Sequence, residues 1–490
     1  MNADRTDLSR RTFIKTTSAL VGAAGVFGAP APARAFGANQ RIRIGFIGPG
    51  GRGFSAHVQT LARLRKAGAN VDLAAVSDVY STQADKVAHF ITKETGIAPK
   101  LYENYEDMLA DGNIDAVTIA TPDHWHAKQT LDAFKAGKHV YCEKPMTRTI
   151  EEAQAVVAAW KASGKVMQVG VQGTSSPVWN KARQLIDEGM LGKVIQLQTE
   201  YNRNSNSGQW RDYKLTRDMT PKTINWRRWL GLDYGLAPDM PFDRSVYMQW
   251  RCYWSFGSGM FTDLFVHRTS MLLKATGLRF PARVVGAGGI FFEYDNRDVP
   301  DLATLAADYN EGCQLLISSS MSTMMAPIPV AIRGHFGTFV FDNSYGLNKF
   351  DFLPERPQIT GDSSLKPHSI SVGKVENVDD VHFKNYVDAI EAGDPAMVNN
   401  DPELGAAAVT TVNLAVRSYR EGKVLFYNDG KVSDTNANWP GMWEKMSKDR
   451  VKPRHVPGWK AGNKGSLLKP PEYMNLAGPW INGKDPAPPA

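Results

Sequence analysis

Six residues, Gly48-Pro49-Gly50-Gly51-Arg52-Gly53, constrain this 490-residue chain more than any other stretch. They follow a short apolar run, Ile42 to Ile47, that reads as a strand, and they lead into a segment of helical periodicity, Ser55 to Lys66. Glycines spaced in this way between a strand and a helix have a physical purpose. Gly48 permits the tight turn, Gly50 lets the backbone approach a pyrophosphate, and Gly53 allows helix and strand to pack closely. The N-terminus of the helix offers N–H groups and the positive end of its dipole to phosphates. The whole run, Pro49, Gly51 and Arg52 included, is therefore expected at a dinucleotide, with Arg52 adding a charge-assisted contact. The next strand, Val71 to Val76, runs on to Ser77-Asp78, where Asp78 is placed to accept hydrogen bonds from the adenosine ribose hydroxyls. A carboxylate there repels a 2′-phosphate, so NAD is expected and NADP is less favoured.

The alternation continues. Ala116 to Ala120, His139 to Cys142 and Val166 to Val169 read as further strands, with helices expected over Ser81 to Thr95, Ala127 to Ala136 and Ile150 to Ser163. Short apolar strands separated by crossover helices make a doubly wound parallel sheet, here a Rossmann domain spanning residues 41–170. From 171 to 430 the character changes. A helix at Pro177 to Glu188 leads to alternating strand candidates at Val194 to Tyr201, Arg283 to Phe292, Ala303 to Tyr309, Gln314 to Ser319 and Val330 to Phe336. Such runs, largely without helices between them, predict an antiparallel sheet in a second α/β domain. Helices near Val381 to Ala392 and Pro402 to Arg420 either pack on that sheet or return to the first domain. Residues 203–256 interrupt the pattern with five of the chain's 12 tryptophans, too aromatic a stretch for a slack linker. Residues 431–490 form a C-terminal extension expected to lie over the surface.

Charge excludes some partners. The excess of 57 basic over 50 acidic side chains falls to 52 against 48 once residues 1–35 are set aside, and no basic run is interleaved with aromatics. Neither nucleic acid nor an anionic membrane is an expected partner, which leaves a small molecule. The three cysteines, Cys142, Cys252 and Cys313, form no metal-ligand spacing, so no metal and no disulfide framework are implied. The N-terminus is more specific. Ser9-Arg10-Arg11-Thr12-Phe13-Ile14-Lys15 precedes a weakly apolar stretch to Pro30 and a small-x-small site at Ala33-Arg34-Ala35. Residues 1–35 therefore read as a twin-arginine (Tat) signal, with the Tat export machinery as partner and a periplasmic destination. The stretch is too short and too rich in Gly and Ala for a stable membrane anchor.

Three further segments carry chemistry. Ala120-Thr121-Pro122-Asp123-His124-Trp125-His126 is a strand end entering a turn and a helix at the carboxyl edge of the sheet, where ligands bind. Gly137-Lys138-His139-Val140-Tyr141-Cys142-Glu143-Lys144-Pro145 ends another strand, and Pro145 fixes the backbone so that Lys144 is aimed. In Gly257-Ser258-Gly259-Met260-Phe261-Thr262-Asp263-Leu264-Phe265-Val266-His267, Asp263 and His267 fall four apart and share one helical face.

These segments resemble the Gfo/Idh/MocA oxidoreductase family over most of the chain beyond the signal. The resemblance implies a Rossmann domain followed by an α/β domain with a large open sheet, mainly antiparallel here, whose exposed face often serves homo-oligomerisation. It places Thr121, Pro122, His126, Glu143, Lys144 and Gln172 about the nicotinamide half of the cofactor. Similar proteins have a cis bond before the proline matching Pro145. A lysine beside an oxidised nicotinamide is a proton-transfer partner, and by carry-over His267 is the acid/base at the reacting hydroxyl, with Asp263 binding substrate or tuning that transfer. The run Ile224 to Gly231, with Arg251-Cys252-Tyr253-Trp254, resembles an exported, saccharide-related branch; Trp254 would stack on a sugar and Arg251 would hydrogen-bond it, unless these aromatics form the loop's own core.

The expected reaction is hydride transfer between a secondary alcohol of a sugar or polyol and tightly bound NAD(H), retained because free NAD is scarce outside the cytoplasm. One alternative is a glycosidase or lyase acting by transient oxidation and elimination, as in exported N-acetylgalactosaminidases of the superfamily, which lack the Glu-Lys-Pro pattern kept here. Another is a non-catalytic sugar-binding protein that keeps its nucleotide.

Overall fold

A computed structural model describes residues 41–342, 348–373, 375–436 and 439–448. The expected twin-arginine signal and most of the C-terminal extension lie outside the described residues.

Two sheets organise the chain. The first has six parallel strands, β1 (Ile42–Ile47), β2 (Val71–Ser77), β3 (Lys100–Tyr102), β4 (Ala116–Ile119), β5 (His139–Glu143) and β6 (Met167–Gly170), in the order 3-2-1-4-5-6. The order reverses between β1 and β4, and the crevice outside their carboxyl ends is where such sheets bind nucleotides. The helices Ser81–Thr95 and Ile150–Ser163 lie where their periodicity predicts. The second owes its start to a capping box, in which the Thr149 side chain accepts from the Glu152 N–H and Glu152 reaches back to the Thr149 N–H. The first helix begins with a wide π turn over Gly53–Val58 before Gln59–Lys66. β3 and the helix Tyr105–Ala110 were not expected; three and six residues are too short for either periodicity to register.

The second sheet has ten strands: β7 (Val194–Glu200), β8 (Arg283–Gly289), β9 (Leu302–Tyr309), β10 (Cys313–Ser320), β11 (Val330–Gly334), β12 (Gly337–Phe341), β13 (Lys349–Pro354), β14 (His368–Ser371), β15 (Leu425–Asn428) and β16 (Lys431–Ser433). Their order is 14-13-12-11-7-10-9-8-15-16, antiparallel among the described residues except where β7 runs beside β10. β9 alternates buried and exposed positions, as a strand with one face on a core must. Two expected strands end early. β8 stops at Gly289, where the buried Asp301 carboxylate accepts from the backbone N–H groups of Phe291, Phe292 and Glu293 and turns the chain. β11 stops at Gly334, and a tight reversal makes β12 its hairpin partner.

The C-terminal helices divide their loyalties. Val378–Ala392 returns to the first sheet, where Phe383 stacks on Tyr141 with centroids 4.2 Å apart and Arg63 pairs with Asp380. Pro402–Glu421 is buried along most of its length between β8 and the helix Ile150–Ser163. It approaches β8 so closely that a Cβ on Gly286 would sit 2.1 Å from the Ala415 carbonyl oxygen. The insertion at 203–256 is a string of short helices, Trp226–Leu230 and Arg244–Met248 among them, built around a core of Trp229, Leu230, Val246, Trp250 and Phe256. Among the described residues no helix is long and apolar enough to cross a membrane.

Candidate active site

A cavity of about 430 Å³ runs along the carboxyl edge of the first sheet. Gly48, Gly50, Gly51, Arg52, Asp78, Thr121, Pro122 and Arg251 line it, so eight of the residues singled out from sequence meet there. The glycines divide their work as their spacing predicts. Gly48 holds φ +64°, where a side chain would also strike Thr121 at 2.4 Å, and a Cβ on Gly53 would meet Ala120 at 2.9 Å. A Cβ on Gly50 or Gly51 would meet nothing within 4 Å. Those two backbone positions face open space, as a cradle for a pyrophosphate requires, and the residues present therefore fit a dinucleotide. Pro49 stands behind the turn, its carbonyl accepting from Gln83 Nε2 at 2.8 Å.

Asp78 closes one end of this cradle. Its Oδ1 accepts from the Tyr80 N–H at 2.9 Å, while burial pushes its carboxyl up to about 7 against that hydrogen bond. Arg52 is placed differently from expectation. Its Nε lies 3.1 Å from Glu143 and its terminal nitrogen 3.1 Å from Asp379, so its guanidinium links the glycine turn to protein carboxylates rather than being held out for a phosphate.

Glu143, Gln172 and His126 also face inward. Glu143 Oε1 accepts from Arg52, from His57 Nε2 at 3.0 Å and from Gln172 Nε2 at 3.1 Å, and its Oε2 accepts from the Lys144 N–H at 3.2 Å. Burial opposes its charge, but Arg52 and His57 hold the carboxyl well below the usual range. Gln172 also reaches the Tyr141 hydroxyl at 2.9 Å. Both oxygens of Glu143 are thus engaged by protein donors, Oε1 by three and Oε2 by one. His126 is 1% exposed, with its two ring nitrogens 2.6 Å from the Pro145 carbonyl and 2.8 Å from that of Thr121. Carbonyls only accept, so both nitrogens donate and the ring is an imidazolium stapling the two hallmark turns together. Although burial opposes the charge, Cys142 and the two carbonyls raise its pKa. The Lys144–Pro145 bond is cis.

Lys144 does reach the second half of the chain. Its Nζ donates to Asp263 Oδ1 at 2.5 Å and to the Asp263 carbonyl at 3.0 Å. Arg251 Nε donates to the same Oδ1 at 2.9 Å, and the Trp210 indole N–H takes Oδ2 at 3.1 Å. Asp263 is buried, yet Lys144 and Arg251 keep it ionised far below its ordinary range. Between its two expected roles, this saturation favours orienting cations over binding substrate. His267 sits one turn along, its ring 5.9 Å from that of Tyr201; burial and the Lys144 ammonium hold its pKa well down, so it is a neutral imidazole. Trp254 lies elsewhere. Arg420 covers its face at 4.9 Å and Tyr419 packs beside it, while Trp250, under the Arg251 guanidinium at 4.2 Å, lines the cavity together with Trp125 and Trp229.

Three participants carried no assigned role in the sequence reading. His57 lies on the first helix with no motif to mark it. Asp123 stands within a hallmark segment, fully enclosed beside Thr262 Oγ1 at 3.3 Å, and burial pushes its carboxyl up to about 7 against the pull of Arg251 and Lys144. Trp210 is 1% exposed at φ +67°, a left-handed conformation that costs a non-glycine residue roughly 1–2 kcal/mol. Neighbouring bonds impose it: Gln209 donates its N–H to Glu293 at 3.0 Å and its carbonyl accepts from Arg297 at 3.0 Å.

Residues 42–171 match the model of the GFO/IDH/MocA oxidoreductase family with NAD-binding Rossmann fold. Over 199 residues the chain is 29% identical to an inositol 2-dehydrogenase/D-chiro-inositol 3-dehydrogenase of Lactiplantibacillus plantarum, covering 40% of this chain and 51% of that protein. Over 193 residues it is 30% identical to an alpha-N-acetylgalactosaminidase of Shewanella oneidensis, covering 36% of this chain and 40% of that one. These matches span about half or less of the curated relatives' own length. In fold it resembles a levoglucosan dehydrogenase solved with NADH and levoglucosan, with TM-score 0.60, 19% identity and coverage of 79% of this chain and 99% of that one. An NAD-binding oxidoreductase from Klebsiella pneumoniae aligns at TM-score 0.60, 20% identity and coverage of 79% and 100%. Residues 42–171 therefore form an NAD-binding Rossmann domain of the Gfo/Idh/MocA oxidoreductase type.

Proposed function

We propose that this protein is an NAD-dependent oxidoreductase that acts on a secondary CH–OH group of a sugar or polyol. One observation carries the reading: Lys144 and Arg251 share the Asp263 carboxylate, and Arg251 lines the same cavity as the glycine cradle and Asp78. An ammonium has three donors, and Lys144 spends two on Asp263. The third is left for the oxygen of a reacting hydroxyl, whose developing charge it stabilises. His267, neutral and adjacent, accepts the proton that this hydroxyl gives up. NAD bound along the cradle supplies the two-electron acceptor. Arg251 is the group best placed to orient the remaining hydroxyls, with Trp250 beneath it as an apolar platform.

Purified protein incubated with NAD and a panel of polyols and sugars should raise the NADH absorbance, and Lys144→Ala should abolish the rise. A panel giving none, with nucleotide demonstrably bound, would overturn the reading. The similarity to an alpha-N-acetylgalactosaminidase favours a second reading, in which transient oxidation permits elimination of a glycosidic substituent and the cofactor is restored each cycle. Steady hydrolysis of a nitrophenyl glycoside without added NAD separates the two.

The proposal extends to location and assembly. The paired Arg10-Arg11 segment supports twin-arginine export, so a doubly Lys-substituted chain should stay in the cytoplasm on fractionation. Ile195, Val285 and Leu353, all exposed on the second sheet, support a homo-oligomer, to be weighed by light scattering.

A further inference from the structure

The second wall of the dinucleotide cavity comes from the insertion. A Rossmann crevice ordinarily opens to solvent beyond the strand ends, and a nucleotide enters and leaves through that opening. Here Tyr213, Arg228, Trp229, Tyr247, Met248 and Trp250 line the cavity opposite the glycine turn and Asp78. These residues all lie within 203–256, beyond the family match at 42–171.

The insertion is fastened to the Rossmann edge along a continuous seam. The Trp229 carbonyl accepts two hydrogen bonds from the helix that follows β4, from His124 Nε2 at 2.9 Å and Trp125 Nε1 at 2.8 Å. Beyond β2, the Asn225 N–H donates to the Val79 carbonyl at 2.9 Å and the Ser81 N–H to that of Thr223 at 3.0 Å, bracketing an antiparallel bridge between Tyr80 and Ile224. Past β3, Glu106 pairs with Arg228 and accepts from the Tyr234 hydroxyl at 2.8 Å. The seam thus touches the segments after β2 and β3, on the adenosine side of the cavity, and the segment after β4, on the nicotinamide side. Its apolar backing is rigid: Trp226 stacks on Trp229 with centroids 4.7 Å apart and planes 8° from parallel, and Trp229 packs in turn on Phe256 and the His124 ring.

We propose that residues 213–251 are a cofactor-retaining strap: they form the outer wall of the dinucleotide site, and a bound NAD(H) leaves only when this seam opens. The proposal rests on the reading that a dinucleotide occupies the glycine cradle. Departure then requires breaking backbone and side-chain hydrogen bonds on three loops together with the tryptophan cluster, so exchange is slow even if the contacts to the nucleotide are ordinary. A chain that carries its cofactor out of the cytoplasm needs this property.

The test uses the full-length protein loaded with NADH and follows the loss of bound NADH fluorescence after mixing with a large excess of NAD. Wild type should release NADH over hours and should keep about one nucleotide per chain through dialysis. Glu106 does not line the cavity, and Glu106→Gln removes the charge that pairs with Arg228 and leaves one acceptor oxygen for two donors; release should accelerate about fivefold. Trp229→Ala removes both wall and backing, and release should accelerate by about 100-fold. Should Trp229→Ala fail to fold, the wild-type rate and the milder variant decide. Release from wild type within seconds, unaltered by Glu106→Gln, overturns the strap and leaves the dinucleotide reading standing. No binding of NADH by wild type at millimolar concentration overturns the reading beneath it, and the strap with it.

Discussion

Glu143 and Asp263, the two buried carboxylates that flank Lys144, solve the same electrostatic problem for different ends. Each is ionised in a site that excludes water, and each is surrounded by donors. The donors of Glu143 are Arg52, His57, Gln172 and the Lys144 backbone, all on or next to the first sheet, and its side chain is 6% exposed. Those of Asp263 are Lys144, Arg251 and Trp210, drawn from a Rossmann strand end and from the insertion, and its side chain is 15% exposed beside the cavity. Glu143 ties the glycine-turn helix to the ends of β5 and β6 and so holds the cradle's shape. Asp263 aims cations. A buried carboxylate saturated by one rigid unit is architecture; one saturated across two units, with a donor to spare at its rim, is machinery.

The largest effect should come from breaking the second arrangement. Lys144→Met is expected to slow reduction of the bound NAD by about 1,000-fold, because the donor to the reacting oxygen is lost, while Asp263 keeps Arg251 and Trp210 and thermal unfolding barely moves. Single-turnover absorbance of the bound nucleotide beside a melting curve checks both halves; a collapse of the melting temperature would blur the comparison. Breaking the first arrangement should do the reverse. Glu143→Gln leaves the buried His57 and Gln172 facing an amide and should remove roughly 3 kcal/mol of unfolding free energy, read in guanidinium. Arg52, whose side chain is 41% exposed, is expected to contribute little of that loss.

Two smaller changes sharpen the contrast. Trp210→Phe keeps an aromatic ring and deletes one N–H to Asp263, for an expected loss of about tenfold in the single-turnover rate with little change in stability. Asp78 is a third enclosed carboxyl, with the Tyr80 N–H as its donor, and burial pushes it up to about 7. A folded-state value above the unfolded one means that its contribution to apo stability is present at low pH and is lost as pH rises through about 7. Ribose hydroxyls donate to the ionised form, so NAD should bind more tightly as pH rises from 6 to 8, by about tenfold over the whole range and mostly below 7. Titration calorimetry across that range, with Asp78→Asn expected to flatten the dependence, measures it.

Local signals were legible where the chain obeys local geometry. Gly48 and Gly53 act through a positive φ and a short approach that no other residue tolerates, and the helix Ile150–Ser163 begins at a capping box four residues long. Asp263 and His267 could be paired because four residues along a helix bring them to one face. What escaped was short or distant. β3 and the hairpin of β11 and β12 are too brief for periodicity, and Trp254 was chosen over Trp250 and Trp210 because nothing in an irregular stretch says which way an indole points.

The sequence by itself therefore determined the class of fold and the glycine turn, and it singled out Lys144, the cation we propose to react, since each is encoded within a few consecutive residues. Only the tertiary structure decided which donors surround each carboxylate. Glu143 meets Arg52 across 91 positions and Asp263 meets Lys144 across 119, separations at which pairing is set by how sheets, helices and the insertion pack and not by any local preference of the chain.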